Sequence, residues 1–304
     1  DEEDRYHRHS QGGANILIQT AELSNYCTFV EADRSHDESV SRQKKGDIIM
    51  SCYAMIFSPC GGTERIVHAF CKEWKEEVIE IDLSNPDCTG KNTPLCEKDI
   101  CIIAMPSYGG RAPEAALQRL QAIQGNHAAA ILICSYGNRA YEDTLLEMKE
   151  SAQACGFVCR AAVAAVAEHS IMHVYGTARP DAQDQKELAA FGCAVKEHLK
   201  NEIDSGIQLF VPGNHPYKSY GGVPLKPLTD KRCTSCGLCA AKCPVQAISK
   251  EHPNKTDTDT CISCMRCIAI CPMHARSLHK LLLAASVKKL KKACETRKNN
   301  DLFL

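Results

Sequence analysis

Two rhythms of hydrophobic residues run along the chain. From residue 52 onward, short apolar runs alternate with segments whose apolar residues recur at helical spacing. Residues 52–57, 78–83, 100–105, 129–135 and 157–166 are short, mainly apolar runs and predict strands of a sheet covered on both faces. Between them, residues 64–75, 113–123 and 141–155 predict helices, the second with a proline at its first turn, and residues 185–203 predict a longer one. Strands alternating with helices of this length imply parallel pairing through right-handed crossovers. The expected fold is therefore α/β, a doubly wound parallel sheet covered on both faces. Such sheets bind ligands at the carboxyl ends of their strands, near the switch point in strand order.

On either side of residues 50–204 the rhythm breaks. Residues 1–47 are polar, rich in Ser, Asp, Glu and His, and keep no sustained period. They are expected to be a disordered leader, with no strand beginning before Cys52 and Met50 as the native start. Residues 205–229 carry Gly206, Gly213, Gly221 and Gly222 among Pro212, Pro216, Pro224 and Pro227, the composition of a linker. A small cysteine-rich domain is expected over residues 230–275, then a C-terminal helix and tail over 276–304, the helix reaching about Thr296. Its Lys288, Lys289, Lys291 and Lys292 suit a solvated face; a docking surface for an acidic partner is the alternative.

At 304 residues with 44% hydrophobic content, the chain is long enough for two domains. Its 36 basic against 37 acidic residues give no reason to expect a nucleic-acid partner, and no apolar run reaches the roughly 18 residues of a membrane span. Of 20 cysteines, eight form two runs and twelve are scattered, several among apolar neighbours such as Cys101, Cys134 and Cys193. Free thiols in such number suit a reducing cytoplasmic compartment with little oxygen.

The two runs read Cys233, Cys236, Cys239, Cys243, Pro244 and Cys261, Cys264, Cys267, Cys271, Pro272. Each is C-x2-C-x2-C-x3-C-P, and this resembles the ligand run of bacterial ferredoxins with two 4Fe-4S clusters. The resemblance implies that the fourth cysteine of each run binds the cluster of the other. One cluster would take Cys233, Cys236, Cys239 and Cys271, the second Cys261, Cys264, Cys267 and Cys243. Paired C-x2-C units also build structural zinc sites, usually as two close pairs across a long gap. A third cysteine at the same interval followed by C-P, all of it duplicated, argues against zinc.

After the first predicted strand stand Ser58, Pro59, Cys60, Gly61, Gly62 and Thr63, and then a helix begins. Amides converging at a helix N-terminus suit an anion. The loop resembles the flavodoxin phosphate loop S/T-x-S/T-G-x-T, and together with the cysteine runs the chain resembles the EFR-type ferredoxins, a flavodoxin-like domain fused to a bacterial-type 2[4Fe-4S] ferredoxin domain. The likeness covers about residues 50 to 275. Cys60 departs from the pattern by replacing the middle hydroxyl with a weaker donor, so phosphate affinity is expected to fall. Two further loops follow strand ends on the same edge: Pro106, Ser107, Tyr108, Gly109, Gly110, Arg111, and Ser135, Tyr136, Gly137, Asn138, Arg139. In the family such loops flank the isoalloxazine, which implies that Tyr108 or Tyr136 stacks on an FMN while the amides of Gly109, Gly110 and Gly137 bond its edge. Each loop taken alone also reads as an ordinary glycine turn. The segment from Glu168, His169 and Ser170 to Arg179, Pro180 and Asp181 belongs to the same pattern without a stated role.

No nucleophile triad, useful carboxylate pair or G-x-G-x-x-G after a strand is present. The expected function is single-electron transfer between two 4Fe-4S clusters and FMN, and so to or from a redox partner protein. The alternatives are a flavin-dependent reductase of a small substrate fed by its own clusters, and a ferredoxin whose flavodoxin-like domain is empty and serves partner binding.

Overall fold

The structure, a computed structural model, describes residues 29–31, 50–90, 93–201 and 208–304. In chain order the first unit contains β1 (Phe29–Glu31), β2 (Cys52–Ile56), α1 (Gly62–Phe70), β3 (Val78–Asp82), β4 (Ile100–Pro106), α2 (Glu114–Leu120), β5 (Ala129–Tyr136), α3 (Thr144–Ala154), β6 (Val158–Val166) and α4 (Ala182–Asn201). The second contains β7 (Leu228–Thr229), α5 (Leu238–Ala241), α6 (Arg266–Ala269) and β8 (Arg276–Ser277). The chain ends in α7 (Lys280–Cys294) and β9 (Asp301–Phe303).

Seven strands form the main sheet in the order β1-β3-β2-β4-β5-β6-β9. The five strands β3-β2-β4-β5-β6 are mutually parallel, and the second of them in sequence lies outside the first. That is the flavodoxin-like doubly wound order, with its switch point between β2 and β4. Successive residues of β2 serve opposite faces. Cys52, Ala54 and Ile56 meet Ile66, Val67, Phe70 and Trp74 from the α1 side, together with Leu188 and Val195 of α4. Tyr53, Met55 and Phe57 meet Leu120, Ile123, Leu145 and Met148 from the α2 and α3 side. Trp74, beyond the end of α1, is fully buried, and its indole donates to the Gly192 carbonyl at 3.2 Å. A Cβ at Gly192 would stand 1.9 Å from the Phe70 carbonyl oxygen, so only glycine lets α4 come this close to α1.

Two sheet edges depart from expectation. Residues 29–31, inside the expected leader, pair in parallel with β3, so a strand does begin before Cys52. The rest of that leader lies outside the described residues. At the other edge the tail returns as β9, antiparallel to β6. Asn300 is decisive there: its Oδ1 accepts from the Val166 amide at 2.9 Å, and its Nδ2 donates to Asp184 at 3.1 Å. Side-chain bonds of this kind build a three-residue strand that no apolar pattern announces.

Residues 208–227 cross from one unit to the other without helix or strand. In the cysteine-rich unit, β7 and β8 pair antiparallel and close the two runs into one body. The backbone repeats along with the sequence, 28 residues apart (Cys233 to Cys261). Positive φ falls at Ser235 and again at Ser263, at Gly237 and again at Met265, at Gln246 and again at His274. Met265 occupies its left-handed position buried against Ile171, Met172, Tyr175 and Leu225, a packing that offsets the cost of roughly 1–2 kcal/mol for a side chain there.

Candidate functional site

Two small cavities in the cysteine-rich unit are each lined by four cysteines. One gathers Cys233, Cys236, Cys239 and Cys271, the other Cys243, Cys261, Cys264 and Cys267. Each set therefore takes three thiols from one run and the fourth from the other. Backbone amides serve the sulfurs: Ser263 N donates to Cys261 Sγ at 3.4 Å and Ala275 N to Cys271 Sγ at 3.3 Å. Arg266 lines the second cavity, and its Nη1 is buried with no hydrogen-bond partner among the described residues. Burial pushes the Cys267 thiol up to about 12, so a thiolate there needs a cationic centre beside it. The four-thiol sets, the amides aimed at sulfur and the orphaned guanidinium nitrogen fit a 4Fe-4S cluster, which is anionic and accepts hydrogen bonds at sulfur.

The larger opening is a cleft of about 640 Å³ at the carboxyl ends of β2, β4, β5 and β6, beside the switch point. The sequence-predicted Ser58, Cys60, Gly62, Thr63, Tyr108, Gly109, Tyr136, Gly137 and Arg139 all line it. The first turn is built as an anion cradle. Gly61 takes φ 77°, Ser58 Oγ accepts from the Glu64 amide at 3.1 Å, and Thr63 and Ser135 share a 2.7 Å hydroxyl bond. The amides of Cys60, Gly62 and Thr63 have no partner among the described residues. These donors, with the Arg65 guanidinium also lining the cleft, fit a flavin phosphate.

Gly61, Gly110, Arg111 and Asn138 do not line the cleft. Glu142 presses on Gly110, where a Cβ would be 1.9 Å from its carboxylate oxygen. Arg111 is committed to Glu147 and to the Lys218 carbonyl at 2.9 Å, which fastens the linker. Asn138 is buried and holds the C-terminal segment: it donates to the carbonyls of Cys294 and Thr296 and accepts from the Lys298 amide. Tyr136 is also spent, its ring against Tyr141 and its hydroxyl donating to Asn299 O at 3.0 Å. Of the two tyrosines expected to stack on a ring, Tyr108 alone has a side chain not engaged in this way.

Cys60 has a different role from the one its place in the loop suggests. Its thiol donates to the Cys264 carbonyl, 3.0 Å away, and so reaches from the first turn of the sheet into the second cysteine run. Burial pushes it up to about 11 against the opposing charges of Arg266 and Arg65, so it stays a thiol at neutral pH.

Several cleft residues have no marker in the sequence. Tyr220, Val223, Pro224 and Leu225 come from the linker, and Ser286, Lys289 and Leu290 from α7. Tyr220 lies on Gly109, where a Cβ would be 2.3 Å from its ring. His169 also lines the cleft. Its Nδ1 accepts from the amides of Ile171 and Met172, which leaves the proton on Nε2, and burial pushes it down to about 4 so that it is neutral at working pH. Cys264 and Ile262 line both the cleft and the second cysteine cavity, and so form the wall between them.

Residues 231–279 match the family model of the 4Fe-4S dicluster domain. This part of the chain thus carries the signature of an iron-sulfur domain. Among solved structures, the chain is similar to the apo form of the NADH:FMN oxidoreductase EMOB, at 14% identity over 52% of this chain and 92% of that one, with a TM-score of 0.36. It is similar to the azoreductase AzrA at 13% identity over 50% and 98%, TM-score 0.31. The Flv1 flavodiiron core from Synechocystis sp. PCC6803 is similar at 16% identity over 49% of this chain, TM-score 0.34, and the match spans only 36% of that structure. No curated protein matches the chain in sequence. Among the described residues, no helix is long and apolar enough to cross a membrane.

Proposed function

We propose that the chain is an electron-transfer protein that passes single electrons between two 4Fe-4S clusters and an FMN, and so to or from a redox partner protein. The observation that carries this is the shared wall: Cys264 borders both the second cysteine cavity and the cleft on the sheet edge. Bound clusters supply one-electron carriers, and a bound flavin links one-electron to two-electron chemistry. The protein's part is placement. Cys233, Cys236, Cys239 and Cys271 hold the outer cluster, and Cys243, Cys261, Cys264 and Cys267 the inner one. Ser58, Thr63 and the free amides of the first turn hold the phosphate. Tyr108 and Gly109 flank the ring, with Tyr220 closing over Gly109.

His169 favours a second reading, a flavin-dependent reductase of a small substrate. A neutral imidazole with its Nε2 proton in the cleft can donate to a group being reduced there. Anaerobic purification tests the main proposal, with about eight iron and eight acid-labile sulfide per chain expected and FMN released on denaturation. Stoichiometric zinc without sulfide sinks it. Turnover of small oxidants that is lost in His169→Ala, with flavin still bound, selects the reductase.

A further inference from the structure

We propose that Arg266 sets the two clusters apart: it raises the reduction potential of the cluster held by Cys243, Cys261, Cys264 and Cys267, so that an electron shared between the two resides there. The inference rests on the redox reading above. The two cysteine runs repeat each other in spacing and backbone, yet between the second and third cysteine the first has Leu238 and the second has Arg266. Leu238 is 39% exposed, whereas the Arg266 side chain is 15% exposed and lines the inner cavity.

The guanidinium is only loosely held. Nη2 faces the Asp82 carboxylate at 3.8 Å, longer than a hydrogen bond, and the buried Nη1 has no partner among the described residues. A buried N–H is costly to leave unpaired. A cluster sulfur is an acceptor that ends this, and the bond strengthens when the cluster gains an electron and one more negative charge. A nearby positive charge acts in the same direction through a low-dielectric wall.

Neighbouring charges do not reproduce the distinction. Arg276 lines the outer cavity and its Nη1 lies 4.0 Å from Cys267 Sγ, so it acts on both sites. Lys226 donates to the Cys261 carbonyl and adds in the same sense, but its donor is already placed on a backbone oxygen. Arg232, on the outer side, is paired with Asp230 at the surface. Asp82 opposes Arg266 from a half-exposed position.

Reductive titration of the anaerobic holoprotein, followed by electron paramagnetic resonance, tests this. Arg266→Leu, which copies the first run, should lower the inner cluster's potential and shift the distribution of one electron between the clusters about tenfold, the worth of one charge-assisted hydrogen bond. That corresponds to about 59 mV for a one-electron couple. Arg266→Lys should retain part of the difference, Leu238→Arg should raise the outer potential, and Asp82→Asn should raise the inner one further. Unchanged potentials in Arg266→Leu and Leu238→Arg overturn the inference, as does a shift confined to the outer cluster in Arg266→Leu. If Arg266→Leu fails to assemble both clusters, Leu238→Arg and Asp82→Asn decide it, since both sites are exposed and no shift in either overturns it. Failure of the redox reading itself would appear earlier, as wild-type protein without two clusters.

Discussion

The two cysteine cavities have the same ligand spacing and the same backbone turns but opposite surroundings. In the outer one Cys236 is exposed, Cys233, Cys239 and Cys271 are partly so, and Leu238 and Met273 stand 39% and 45% exposed beside them. In the inner one Cys243, Cys264 and Cys267 are buried. The burial comes from outside the cysteine-rich unit. Arg119 of α2 donates both to the Leu83 carbonyl and to the Pro244 carbonyl next to Cys243, Asp82 of β3 faces Arg266, and Cys60 reaches Cys264. A duplicated sequence thus supplies two equal ligand sets, and the sheet makes them unequal by gripping one. The outer set is left toward solvent, and the inner set faces the cleft.

Removing one ligand from each set is the strongest way to break this comparison. Cys236→Ala and Cys243→Ala should each halve the iron, from about eight to about four per chain. Only Cys243→Ala should also weaken flavin binding, because the inner set forms part of the cleft wall through Cys264. Flavin fluorescence titration of both variants checks it, and equal flavin affinities would separate the cleft from the inner site. Access gives a second, kinetic test. A chelator in slow excess should remove iron in two phases of similar amplitude, the outer cluster first, and Cys236→Ala should lack the fast phase. A single phase in the wild type would mean that the difference in burial does not govern cluster loss.

Acid should loosen the C-terminal return that packs α7 near the inner site. Asp181 is held below the usual carboxylate range first by the hydrogen bond from Arg297, then by the Asp184 amide. Burial alone would raise Asp184, but bonds from Arg179, the Asp181 amide and Asn300 outweigh it and its net direction is also down. Both folded values are depressed, so their stabilisation is present above the ordinary value of about 3.9 and is lost as pH falls through the folded values. Protease cleavage near residues 297–300 should therefore begin only in strong acid. Arg297→Ala should move its onset to higher pH, and an unchanged onset would place the anchor elsewhere.

Four of the five central strands, β2, β4, β5 and β6, were legible because a strand buried on both faces is almost wholly apolar, as Ala129–Tyr136 is apart from Ser135. The fifth, β3, carries the partly exposed Glu80 and the exposed Asp82 and was legible from Val78, Ile79 and Ile81. The grouping of the cysteines was legible through the resemblance to bacterial ferredoxins, which implies that the fourth cysteine of each run joins the first three of the other, and the two cavities are lined by those groups. β1 and β9 were not, since each is three residues long and owes its pairing to a neighbour, as β9 does to Asn300. The cleft was half legible. Its floor comes from loops at strand ends, which sequence order puts on one edge, but its roof comes from Tyr220 and α7, whose positions depend on how the chain folds back. Asn138 and Arg111 misled for a related reason: polar residues in a glycine loop suit a ligand, and they suit equally well the carbonyls of a returning segment.

The smallest expected effect lies at the seam between the two units, at Cys60. The resemblance to the flavodoxin phosphate loop gives this place a hydroxyl that serves the phosphate. With the thiol donating to the Cys264 carbonyl at 3.0 Å, a hydroxyl inherits an acceptor on the cysteine-rich unit instead. Cys60→Ser should then keep that bond, and Cys60→Ala should lose about 1 kcal/mol, the ordinary net worth of one hydrogen bond. The loss weakens the packing of the inner site against the sheet and not the phosphate cradle, whose free amides at Cys60, Gly62 and Thr63 belong to the backbone. FMN and riboflavin, which differ by the phosphate, should therefore respond alike to either substitution, with the change in Cys60→Ala appearing mainly as lower resistance to denaturant. Tighter binding of FMN alone in Cys60→Ser would return the side chain to the phosphate and leave the grip on the inner site to Arg119 and Asp82.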